Sequence, residues 1–111
     1  MKLITAIVRP DKLDELIGTL IDNQVHGLTV TEVRGFGRQF GQLAHEAGPP
    51  RVALLPKIRL DIAALDDDVE TLVEAIAKHA RTETIGDGKI WITPVDGALR
   101  IRTGERDRAA I

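Results

Sequence analysis

The segment Thr84-Ile85-Gly86-Asp87-Gly88-Lys89 sets two glycines around an acid and just ahead of a lysine. Glycine lets backbone N–H groups converge on an anion, as in a phosphate-binding nest. Lys89 would add a point charge to a phosphate oxygen. Gly-Asp-Gly is also a common turn, so spacing alone leaves both readings open. Arg100 and Arg102 stand two apart. On a strand they would share a face, and paired guanidinium groups suit phosphate. A solvated edge strand gives the same pattern. Gly35-Phe36-Gly37-Arg38-Gln39 follows a β-branched run and can bring backbone close to a ligand. It opens no helix and has no G-x-G-x-x-G spacing, so it is not a Rossmann site.

Other chemistry is sparse. Cysteine, serine and tyrosine are absent, and no nucleophile–base pair is visible. His26, His45 and His79 show no metal-ligand spacing. The expectation is a protein without catalysis. With 15 basic and 17 acidic residues the net charge is −2, which gives no pull towards nucleic acid or membrane. The aromatic residues are Phe36, Phe40 and Trp91, too few to stack RNA bases along a sheet. No apolar run approaches the roughly 18 residues that span a bilayer. The first ten residues are too short and too charged for a signal peptide. Without cysteine nothing requires an oxidising compartment, so the cytoplasm is the expected location.

The elements that must position these residues follow from periodicity. With 111 residues, one domain spanning 1–111 is expected. Residues 2–9 are β-branched and apolar on both faces, a strand covered on both sides. Pro10-Asp11 breaks it and opens a helix whose apolar stripe is Leu13, Leu16, Ile17, Leu20 and Ile21. Residues 28–35 form a second strand. In residues 57–64, Ile58, Leu60 and Ile62 point one way and Lys57, Arg59, Asp61 and Ala63 the other. Asp66-Asp67-Asp68 starts a second helix with acids at its positive end, and its stripe is Val69, Leu72, Val73, Ile76 and Ala80. Residues 89–95 form a fourth strand and 99–102 a short last one. This order predicts an α+β, ferredoxin-like βαββαβ sandwich. Both helices would cover one face of the sheet. Apolar residues on the other face predict packing between subunits.

Residues 37–55, between the second and third strands, hold three glycines and two prolines before the apolar exit and show no clean periodicity. A loop of that length inside a small domain is usually functional or disordered.

Taken together these segments resemble the PII signal-transduction family over nearly the whole chain. MKLITAIVRPDKLDEL resembles the family's opening strand and helix. GLTVTEVRGFGRQ (27–39) is similar to its second strand and loop entry, and Leu55-Pro56-Lys57 to its loop exit. TETIGDGKIW (82–91) resembles the most diagnostic segment, and Arg100-Ile101-Arg102-Thr103-Gly104-Glu105 the C-terminal signature.

The resemblance implies a homotrimer with ATP or ADP in clefts between neighbouring subunits. Gly86, Asp87, Gly88 and Lys89 would cradle the phosphates. Arg100 and Arg102 of an adjacent subunit would neutralise them. Gly35, Gly37, Arg38 and Gln39 would close the site, and Ile7, Thr29, Asp61 and Ala63 would line the nucleoside. Mg²⁺ would enter through the phosphates. Gln39, Gly41 and Lys57 would hold a small anionic effector, 2-oxoglutarate, at the loop base. A regulated transporter, enzyme or regulator would dock on the loop. The loop departs from the family: no Tyr, Ser or Thr occurs within 37–55, which excludes hydroxyl modification there. That departure keeps a second expectation open, a divergent sensor tied to inorganic-carbon handling through bicarbonate, or to metal efflux.

Overall fold

The computed structural model describes residues 1–37 and 53–111. β1 (Lys2–Val8) leads through a 3-10 turn, Pro10–Lys12, into α1 (Leu13–Asp22). β2 (Thr29–Gly35) and β3 (Leu55–Ala64) follow. A second 3-10 turn, Asp66–Asp68, opens α2 (Val69–Ala80), and β4 (Gly88–Pro94) completes the sheet. The strand order is β2-β3-β1-β4, with every neighbouring pair antiparallel. This is the expected ferredoxin-like α+β sandwich. Pro10 explains where β1 stops, because it offers no N–H to a ladder yet fits the first turn of a helix.

Alternation builds the core. Ile4, Ala6 and Val8 of β1 stand opposite Ile62, Leu60 and Ile58 of β3, and all six are buried. Leu16 and Leu20 of α1, with Leu72, Ile76 and Ala80 of α2, close this face. Leu60 has no exposed surface and lies on one of the two central strands. Leu60→Ala is expected to cost about 2–5 kcal/mol, the usual loss for a large-to-small change in a packed core. Urea melts of the variant and wild type check this. A change below about 1 kcal/mol would contradict the packing described.

Two expectations need correction. Helical spacing puts Ile21 on the core stripe of α1, but it is 61% exposed. It lies in the last turn of the helix, past the packed Leu16 and Leu20. The strand expected at 99–102 is a turn. The Arg100 N–H donates to Glu105 O at 2.8 Å, and the Gly104 N–H donates back to Arg100 O at 2.8 Å. Only a single bridge, Leu99 with Arg106, resembles strand pairing. The alternation Leu99-Arg100-Ile101-Arg102 therefore does not place the two arginines on one strand face. The Arg100 guanidinium meets Glu105 at 3.0 Å instead, and Ile101 at the tip is 94% exposed.

The face away from the helices is mixed rather than uniformly apolar. In register across the sheet stand Thr29, Asp61, Thr5 and Trp91. Thr5 is buried, and its hydroxyl donates to Asp61 Oδ1 at 2.7 Å. Arg59 Nε donates to Asp61 Oδ2 at 2.9 Å. That guanidinium holds the Asp61 carboxyl below its ordinary value; partial burial opposes the effect and the Thr5 bond adds to it. Leu3, Ile7 and Val33 share this face.

Candidate anion-binding site

Strand register decides which residues meet. β1 and β4 run antiparallel, so Val8 pairs with Gly88 and Ile7 with Lys89. In the β2–β3 pair, Val33 stands opposite Lys57 and Gly35 opposite Leu55. These strand ends share one rim of the sheet. There a cavity of about 450 Å³ is lined by Ile7, Gly35, Phe36, Gly37, Lys57 and residues 84–89. The structure thus brings Ile7, Gly35, Gly37, Lys57, Gly86, Asp87, Gly88 and Lys89 together around one cavity.

The glycines are required by geometry. Gly86 and Gly88 have φ of 104° and 108°, in the left-handed region. A Cβ on Gly88 would lie 1.7 Å from the carbonyl oxygen of Ile7. The backbone of β4 can therefore approach β1 this closely only without a side chain.

Asp87 fastens the loop. The Thr82 hydroxyl donates to its Oδ1, and the N–H groups of Thr82 and Glu83 donate to Oδ2 at 2.7 and 2.8 Å. Arg9 Nε adds a bond to Oδ1 at 3.0 Å. Arg9 Nη2 also reaches Thr84 Oγ1 at 2.9 Å and Ile85 O at 2.8 Å. Partial burial works to raise the Asp87 pKa, but these four donors outweigh it and hold the carboxyl well below the usual carboxylate range. A depressed folded pKa stabilises the fold above the unfolded value and is lost as pH falls through the folded one. The Asp87 contribution is thus complete above about pH 4 and declines below it. Wild type is expected to lose more stability than Asp87→Asn between pH 6 and pH 2. Thermal melts across that range check the difference, and parallel profiles would refute it.

Lys57 donates to Gly86 O at 2.8 Å. Its pKa is lowered, first by desolvation and then by the nearby Arg9 charge, with Asp87 opposing. Lys89 makes no ion pair among the described residues. Among the described residues, two ammonium groups therefore line a cavity whose one carboxylate is already occupied by its own loop. Such a site attracts anions.

The remaining expected residues lie elsewhere. Thr29 and Asp61 pair on the open face of the sheet. Ala63 and Arg100 line a separate cavity of about 560 Å³, beside the turn after α1 and the C-terminal residues. Arg102 sits in the exposed turn at 101–103. Arg38, Gln39 and Gly41, with the modification-free stretch of the loop, fall outside the described residues. Arg9, Thr82 and Thr84 were missed by sequence reasoning. A usable signal existed for Arg9: in this topology the residue after Val8 must lie beside the residue before Gly88, and those two carry opposite charges.

An open-faced α+β sandwich, with a glycine-walled and lysine-lined cavity at one rim, is the class of protein that fold and site define. No helix among the described residues is long and apolar enough to cross a membrane. The family model described as nitrogen regulatory protein P-II matches residues 1–105. Over 112 aligned positions the chain is 51% identical to nitrogen regulatory protein P-II 2 of Methanothermobacter thermautotrophicus, covering 100% of this chain and 97% of that protein. It is 50% identical to nitrogen regulatory protein P-II of Cereibacter sphaeroides and 44% identical to nitrogen regulatory protein GlnK of Escherichia coli K12, with 100% of each chain covered in both cases. The chain belongs to the nitrogen regulatory protein P-II family, a family of signalling regulators.

Proposed function

We propose that the chain is a non-catalytic sensor that binds ATP or ADP at the rim cavity and passes the result to a partner protein through residues 37–55. The observation carrying this reading is the gathering of Ile7, Gly35, Gly37, Lys57 and residues 86–89 around one cavity of about 450 Å³. That size suits a small-molecule ligand, for which pockets of about 300–1,000 Å³ are usual. Ile7 and Phe36 supply apolar surface for a base. Lys89 and the glycine backbone serve phosphate oxygens, and Mg²⁺ enters through those phosphates. The Asp87 carboxylate is committed to its loop, so this residue would serve a ligand through its backbone. Lys57, with Gln39 and Gly41, would hold a dicarboxylate effector such as 2-oxoglutarate, for which a cation at the loop base is the chemical requirement.

Half-sites support assembly as a homotrimer. Arg100, Arg102, Thr29, Asp61 and Ala63 lie outside the rim cavity on the same subunit. A neighbouring copy could present them to it, completing the ligand's surroundings. Location in the cytoplasm accords with a ligand drawn from the nucleotide pool. The loop supports a second reading: no hydroxyl residue occurs within 37–55, so a sensor without loop modification, answering to bicarbonate or serving metal efflux, is the alternative.

The test is calorimetric titration of ATP and ADP, with and without Mg²⁺ and 2-oxoglutarate, together with sedimentation equilibrium. Nucleotide binding to a trimer, with 2-oxoglutarate binding only alongside Mg-ATP, supports the first reading. Nucleotide binding without any 2-oxoglutarate effect transfers support to the second. Absence of nucleotide binding refutes the proposal.

A further inference from the structure

We propose that Arg9 is the positioning residue of the rim cavity: its guanidinium fixes the 82–87 loop and cancels the charge of Asp87, so that an anion can enter. The charge half of this statement rests on the reading of the cavity as a phosphate site. The loop half does not.

Arg9 stands where the chain has least freedom. It follows the last residue of β1 and precedes Pro10, which restricts its backbone to the extended region, and its φ and ψ are −66° and 139°. From that fixed base one side chain makes three bonds, to Asp87, Thr84 and the Ile85 carbonyl. Only the planar fork of arginine can hold separated acceptors in one plane. The Arg9 and Asp87 side chains are 27% and 23% exposed, so water screens their interaction only in part.

The charge count follows from the same contacts. Arg9, Lys57 and Lys89 carry three positive charges about the cavity, and Asp87 carries one negative charge. Among the described residues the net is +2 with Arg9 present and +1 without it. The Asp87 carboxylate, still bonded to Thr82 and Glu83 but without its counter-charge, would then face the wall where Gly86, Gly88 and Lys89 meet a phosphate.

The three bonds of Arg9 go to the loop, and it acts on the cavity through Asp87 and Thr84.

The experiment uses the full chain in three variants, Arg9→Ala, Arg9→Lys and the double variant Arg9→Ala with Asp87→Asn. Amide hydrogen exchange is measured first, without nucleotide. The Thr82 and Glu83 N–H groups are expected to exchange about tenfold faster in Arg9→Ala and Arg9→Lys, the scale of one lost charge-assisted bond. Titration follows with ATP, ADP and AMP. Arg9→Ala is expected to lose affinity in the order ATP > ADP > AMP, because each added phosphate charge feels the uncompensated carboxylate more. The double variant returns the net charge to +2 and is expected to recover part of the ATP affinity. Arg9→Lys is expected to retain more ATP affinity than Arg9→Ala while sharing its fast exchange, a split that simple damage to the fold would not produce.

Unchanged exchange in Arg9→Lys overturns the loop half, even if Arg9→Ala fails to fold. Equal losses for ATP and AMP, or no recovery in the double variant, overturn the charge half. If wild type binds no nucleotide, the phosphate reading and the charge half fall together, and the exchange result still decides the loop half.

Discussion

Gly88→Ala is expected to be far more damaging than a methyl group added at Gly18, Gly27, Gly35, Gly37 or Gly97. The new Cβ would lie 1.7 Å from Ile7 O, 2.8 Å from Ile7 C and 3.3 Å from the Val8 Cα. All three are backbone atoms of β1, so no side-chain rotation relieves the clash. The residue would also have to hold a φ of 108°, which alanine rarely adopts. β4 is an edge strand whose sheet partner is β1, and Gly88 is its first residue. Relief therefore requires the start of β4 to separate from the end of β1, removing the Val8–Gly88 and Ile7–Lys89 register that forms one wall of the cavity. A loss above about 3 kcal/mol is expected, combining strained backbone with broken pairing. Denaturant melts measure it, and on the proposed reading nucleotide affinity should vanish with it. A variant that melts like wild type would show that β1 and β4 do not approach as described.

Lys89→Ala should give the opposite signature, a large effect on ligand and almost none on the fold. Lys89 is exposed and makes no ion pair among the described residues. Surface changes of this kind usually stay within about 0.5 kcal/mol of wild-type stability. A charge-assisted bond to a phosphate is worth about 1.5–3 kcal/mol, or roughly 10- to 150-fold in dissociation constant. Calorimetry with ATP at two salt concentrations reads both the loss and its electrostatic origin. Full ATP affinity in this variant would remove Lys89 from the site and leave Lys57 as the cavity's one ammonium group.

Much of the fold was legible because its signals were local and repeated. β3 alternates buried and half-buried residues over most of its length, and no other element explains Ile58, Leu60 and Ile62 against Lys57, Arg59 and Asp61. The helices were legible from stripes that pack as expected, apart from Ile21, which is exposed, and Ile17, which is only half-buried. The stretch at 99–102 misled because four alternating residues are too few to separate a strand from a turn. Gly104, with φ of 75°, lets the segment close on itself through bonds to Arg100. Part of the site was legible for a related reason: two glycines and a lysine beside an acid form a local pattern. Arg9 was not, because it is 78 residues from Asp87 and meets it only once strand order is known. Arg100 and Ala63 were readable as residue types, but their place in a separate cavity depends on how the C-terminal segment turns back.

The chain itself fastens the 82–87 loop at several points: Asp87 to Thr82 and Glu83, Arg9 to Asp87, Thr84 and Ile85, and Lys57 to Gly86. This has a kinetic consequence. The conformational entropy of that wall is lost during folding, so it is not lost again at each encounter with a ligand. A preorganised wall admits different anions at similar association rates, and differences in affinity then reside in how long each one stays. For a sensor of small molecules, dwell time rather than capture would carry the signal.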